Sequence, residues 1–250
     1  MANPIDMSSE PKAPREISVA QAAVCQAHWG YTTFDEIELA RIAEGVLTAE
    51  SAKRIVRTYS VSRTLSLTSD LEGDTYERLA ASVSDLAATA PAGLLSRAEN
   101  CLAAAKRFDA TRSPRSAFSK LLWFARPHGW MLFDSYAAKG AGVKASGEQA
   151  FMSFYTKLEK AGFEPCVAKL RAELSARDIP ARLAERIIDW ALMAAGGRNN
   201  PYDGPAWTQA YLTTRASDVA ERLGDLATVI APTLSLFMSD VQNHEGLPHG

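Results

Sequence analysis

Apolar residues recur at three- and four-residue spacing along nearly the whole chain, and nowhere do they settle into the two-residue alternation of a half-buried strand. That regularity restricts the fold to helix packed on helix. The punctuation agrees. "QAAVCQAHW" reads as a short first helix, Thr33 and Glu36 as a capping box opening "TTFDEIELARIAEGVL", and Thr48 as the cap of "AESAKRIVRTYSVSRTLSL". "LEGDTYERLAASVSDLAA" comes next, and Pro91 stands at a permitted first-turn position of "PAGLLSRAENCLAAAKRF". Pro114 opens "RSAFSKLLWFA" and Pro127 stops it; Pro180 starts "ARLAERIIDWALMAAGG", which Gly196 and Gly197 end. Two further helices, "AWTQAYLTTRASDVAERLGD" and "ATVIAPTLSLFMSD", complete an all-α protein, a compact bundle of about ten helices with no internal repeat. Residues 1–17, with three prolines and no apolar run, read as a flexible arm. Residues 18–197 read as the main helical domain, and 198–250, beyond "NNPYDGP", as a C-terminal helical extension.

Composition removes several function classes. The chain is 47% apolar and 22% charged, as a globular protein is and a disordered one is not. No stretch approaches the ~18 apolar residues of a spanning helix, so no membrane partner is expected and the expected address is cytoplasmic. Cys25, Cys101 and Cys166 are odd in number and far apart, which fits reduced thiols. Cys25-x-x-His28 is the one close pair of metal-ligand type and no second pair succeeds it, so no metal site is expected. With neither a Gly-rich phosphate loop nor a Ser or Cys elbow, nucleotide hydrolases and triad hydrolases are disfavoured, and no cofactor is implied.

The informative stretch is 118–135, FSKLLWFARPHGWMLFDS, which sets a lysine and an aspartate among five large aromatics. On a helical wheel Phe118, Leu121, Leu122 and Ala125 share one face, while Lys120, Trp123 and Phe124 share the opposite one. A helix apolar on two sides lies inside a bundle or lines a pocket. An amine there loses solvation, which lowers its pKa and favours the neutral nucleophile. The alternative is an ordinary lysine whose stem snorkels, or whose ammonium rests on Trp123 or Phe124. Beyond the Pro127–Gly129 turn, "WMLF" reads as extended, and Asp134 reads as the N-cap of a short helix, "DSYAAKG". Capping is reason enough for an aspartate. The layout nevertheless returns a carboxylate towards the lysine helix, as an amine-nucleophile site requires.

From Arg97 to Lys144 the chain carries nine basic residues against three acidic ones, although its net charge is −2. Such a belt is either a phosphate footprint or a solvated basic surface. Arg182, Glu185, Arg186 and Asp189 form a polar stripe spaced for i,i+3 pairs and are read as structural.

"SKLLWFARPHGWMLFDS" resembles the lysine-to-aspartate segment of the helix-hairpin-helix (HhH-GPD) DNA glycosylase superfamily, in particular the bacterial 8-oxoguanine-glycosylase-like proteins. "ARLAERIIDWALMAAG" is similar to a later helix of the same proteins, so the likeness spans roughly residues 30–197. The resemblance implies that Lys120 is the nucleophile and Asp134 the essential aspartate of a base-excision DNA repair enzyme, a hydrolase with or without lyase activity. It implies DNA, duplex or single-stranded, as partner, with a flipped base held on Trp123, Phe124, Trp130 and Phe133, unless these are plain core. Arg112, Arg115, Ser116 and Arg126 would contact phosphates. The family's Gly-x-Gly hairpin before the lysine is replaced here by "TRSPRSAFSK". Two other readings stand beside the enzyme. One is a fold without catalysis that binds DNA or, through its C-terminal extension, a protein, in a defence or regulatory system. The other is a helical scaffold.

Overall fold

In the first helix of the computed structural model, α1 (Val19–Gly30), Ser18 is the cap and accepts from the Gln21 amide at 3.2 Å. The structure describes residues 18–42, 46–65, 72–89, 93–126, 128–198 and 205–244. The N-terminal arm, Pro91, Pro127 and most of "NNPYDGP" fall outside them. The chain does not break at Thr33. A π-helical turn, Tyr31–Asp35, carries it into α2 (Glu36–Arg41), and the Thr33 hydroxyl donates to the Trp29 carbonyl at 2.7 Å instead of capping. A π turn inserts one residue and re-aims the helix beyond it; here Asp35 ends up buried.

Thr48 caps α3 (Ala49–Thr58), accepting from the Ser51 amide at 3.1 Å. The expected helix through Leu67 stops early, because Ser60 takes a left-handed φ of 54° before a 3₁₀ turn at Ser62–Thr64. Then come α4 (Glu72–Ala88), α5 (Leu94–Phe108), α6 (Arg115–Ala125), α7 (Ser135–Gly140), α8 (Gly147–Lys160), α9 (Phe163–Ser175), α10 (Leu183–Ala195), α11 (Pro205–Thr213) and α12 (Ser217–Asn243). No strand occurs among the described residues. The two C-terminal helices divide before Ser217 rather than after Asp225. Pro232 costs α12 one backbone hydrogen bond, but Leu223, Leu226, Ile230, Leu234, Phe237 and Val241 keep one continuous buried face across it.

At the centre lies α6, buried from Ala117 to Ala125, with α3, α4 and α5 packed around it. Helix α10 is buried from Leu183 to Met193 and packs on α1, α7 and α9. Its contact with α7 is backbone on backbone. A methyl group on Gly140 would lie 1.9 Å from the Leu192 carbonyl oxygen, and one on Gly196 1.9 Å from that of Tyr136. Only glycine permits that approach. Helix α12 lies on α1 and α9, and its end is tied down by Lys157, whose amine donates to the Val241 carbonyl at 3.2 Å. All three cysteines are free and buried, and burial pushes the Cys25 thiol up to about 12. Among the described residues no helix is long and apolar enough to cross a membrane.

Candidate active site

The connection from α6 to α7 is stitched to α6 at successive points. The Trp130 indole donates to the Ser119 carbonyl at 2.7 Å, and the Phe133 amide donates to the Ser119 hydroxyl at 3.0 Å. The Tyr155 hydroxyl donates to the Met131 carbonyl at 2.6 Å, and the Gly129 amide to Glu185 at 2.8 Å. Glu185, fully buried, also accepts from Arg171; its expected i,i+3 partner Arg182 lies instead over the Tyr31 ring. These bonds tie the segment to α6, α8 and α10, so it has little freedom to shift.

The wall presents the Phe133 carbonyl to Lys120. The amine, on a residue only 4% exposed, donates to that oxygen at 2.6 Å and to the Ser116 hydroxyl at 3.3 Å, and lies 3.7 Å from Asp134 Oδ2. It therefore rests on a carbonyl and not on the Trp123 or Phe124 ring. Burial lowers its pKa, against the opposing pull of Asp134 and Asp189. Asp134 has two tasks: Oδ1 accepts from the Tyr136 amide at 2.8 Å as the N-cap of α7, and Oδ2 faces the amine. A neutral amine at this position has two N–H bonds, one for each of its two acceptors, and Lys120 and Asp134 line a common cleft.

That cleft has a volume of about 320 Å³, in the range of small-molecule sites. Its aromatic walls are Trp29, Phe34, Tyr59 and Trp190. None of the four aromatics expected from the sequence lines it. Phe124 is one layer behind, edge-on to Phe34 and Tyr59; Trp123 lies beneath Arg186; Trp130 stacks on Tyr155; and Phe133 packs on Phe151 and Phe154. These four rings support the wall rather than face it. The stripe on α10 was the stronger signal. Arg186 and Asp189 are paired as their spacing suggests, but they line the cleft, with Arg186 packed over Tyr59, Trp123 and Trp190 and in ionic contact with Asp35 at 3.4 Å.

A second depression, of about 300 Å³, adjoins Lys120 through Ser116 and Phe133, and Arg63, Arg112 and Arg115 line it. The turn before α6 is built without glycine. Asp109 Oδ1 accepts from the Thr111 and Arg112 amides at 2.9 and 3.0 Å, and Ser113 takes the left-handed φ of 44° that glycine would favour. Arg112 is fastened to the Leu65 carbonyl at 3.2 Å, while the Ser113 hydroxyl and Arg115 Nε are buried without a hydrogen-bond partner. Arg126 is not part of this groove; it lies just past the opposite end of α6. The basic belt is likewise scattered, with Arg97 buried against Glu164 and Lys106 paired with Glu148. Among the described residues no cluster of His, Cys, Asp and Glu could hold a metal ion. No family model matches this chain, and searches of curated proteins and of solved structures return no significant match.

Proposed function

We propose that the protein is a lysine-dependent DNA glycosylase. The observation that carries this reading is a buried amine of lowered pKa, 3.7 Å from a carboxylate, at an aromatic-walled cleft. An everted base enters between the edges of Trp29, Phe34, Tyr59 and Trp190. The Lys120 lone pair attacks the anomeric carbon of the sugar, the bond from that carbon to the base breaks, and the base leaves with the bonding pair. Asp134 Oδ2 stands opposite the positive charge that develops on the sugar. Loss of the sugar ring bond then gives a Schiff base on Lys120, which resolves by strand cleavage or hydrolysis. Arg63, Arg112 and Arg115 hold the flanking phosphates by charge, in place of the backbone amides of a glycine hairpin.

The test is base release. Oligonucleotides bearing 8-oxoguanine, uracil or an alkylated base are incubated with wild type and with Lys120→Gln, and free base is measured by chromatography. Release by wild type alone is expected. Tight, salt-sensitive DNA binding with no base released from any substrate would reject catalysis and assign the chain a DNA-binding role.

A further inference from the structure

The floor of the cleft holds a charge balance that the roles of Lys120 and Asp134 do not use. Asp35 and Asp189, 1% and 2% exposed, share the buried guanidinium of Arg186. Asp35 Oδ1 accepts from the Tyr59 hydroxyl at 2.8 Å, and its buried Oδ2 lies 3.4 Å from Arg186 Nε in an ionic contact without a hydrogen bond. Of these two carboxylates, Asp189 is the one whose charge acts on the Lys120 amine. Asp189 accepts from Arg186 through Oδ2, but its buried Oδ1 has no hydrogen-bond partner. Two buried carboxylates on one cation leave a negative charge over, and the Lys120 ammonium brings the set to zero. Net charge in such a place is expensive. If Lys120 lost its proton to solvent, the four groups would be left with a net negative charge.

We propose that Asp189 takes the proton Lys120 sheds on becoming a nucleophile, by way of a water at Asp189 Oδ1. One N–H bond of the ammonium breaks with its electron pair left on nitrogen, one O–H bond forms on Asp189, and the buried set stays neutral. The proposal rests on Lys120 acting as the nucleophile described above. Asp134 is the poorer acceptor. Its side chain is 30% exposed, its Oδ1 is held by the Tyr136 amide, and its charge is needed opposite the sugar. The groups that face Asp189 are Arg186 on its own helix, Asp35 from the π turn, Tyr59 after α3, Lys120 from α6, Asp134 before α7 and Arg198 after α10. Tyr59 stays neutral, its phenol pushed well above the ordinary range by burial. Burial also raises the Asp189 carboxyl to about 6, where it can accept and return a proton within one cycle.

Carbon-13 NMR of protein labelled at the aspartate carboxyls tests this without DNA. The Asp189 resonance is the one missing from Asp189→Asn. In wild type it should titrate near pH 6. In Lys120→Gln, which lacks the compensating cation, its midpoint should rise by about one pH unit or more. Asp134→Asn should move it the other way. Lys120→Met repeats the measurement if the amide variant fails to fold. The same midpoint in wild type and both lysine variants would overturn the proposal. A shift in a protein that releases no base would uphold the pairing and sink the glycosylase reading; base release with an unmoved midpoint would do the reverse.

Discussion

Replacing Gly140 with alanine puts a methyl group 1.9 Å from the Leu192 carbonyl oxygen, about 1.5 Å short of ordinary van der Waals contact. The obstacle is backbone, so no rotamer relieves it, and α7 must move away from α10. Overpacking typically costs about 1–3 kcal/mol, and a clash of backbone with backbone belongs at the upper end. Alanine returns about 1 kcal/mol through helix propensity, leaving a net loss of about 2 kcal/mol. Urea unfolding should show a lower midpoint with an unchanged slope. Gly224→Ala is the control: nothing lies within 4 Å of a methyl group there, so the same substitution should stabilise by about 0.5–1 kcal/mol. The consequence reaches the site, because Asp134 caps the start of α7 and Gly140 ends it. Displacing α7 should draw the carboxylate from Lys120 and lower reactivity as well as stability. A Gly140→Ala protein as stable as wild type would refute the close crossing of α7 and α10.

Other perturbations separate the parts of the site. Burial raises the Asp189 pKa, so its contribution to stability is full below about pH 4 and is lost as pH rises through about 6. Asp189→Asn should therefore lose the part of the pH dependence of stability that wild type shows between about pH 4 and pH 6, measured by denaturant unfolding across that range. Glu185→Ala strips the acceptor from the Gly129 amide and from Arg171. With Arg171 28% exposed, the loss should fall at the low end for a broken buried pair, about 3 kcal/mol, and a thermal-unfolding loss under about 1 kcal/mol would contradict the stitched wall. Arg63→Gln, Arg112→Gln and Arg115→Gln should each weaken DNA binding and lower the salt slope by about one, whereas Arg126→Gln should leave the slope alone.

The helical class, the Thr48 cap and the return of Asp134 as an N-cap were legible in the sequence because each depends on neighbours in the chain. The two-sided burial of α6 was legible from its wheel for the same reason. Which apolar face meets an open cleft was not. A wheel treats Trp123 and Tyr59 alike, and only packing shows that Phe124 backs a wall made by Phe34 and Tyr59. Asp35 was hidden by the π turn, which no capping pattern announces; Thr33 and Glu36 mimicked a helix start where the chain stays helical. Arg186 and Asp189 were visible as a pair, but i,i+3 spacing is the same on a surface and on a cleft floor. The early end of α3 at Tyr59 turned on a left-handed serine, a residue with no local requirement to adopt that conformation.

The most direct test is borohydride trapping. Duplex and single-stranded oligonucleotides carrying 8-oxoguanine, uracil or an abasic site are incubated with the protein and sodium borohydride, and adducts are resolved on a denaturing gel and mapped by peptide mass. A covalent adduct on Lys120, absent from Lys120→Gln and diminished in Asp134→Asn, is the expected result. DNA bound but never trapped, or trapped on another residue, would contradict a nucleophilic Lys120 and leave the buried amine a structural support for the Phe133 carbonyl.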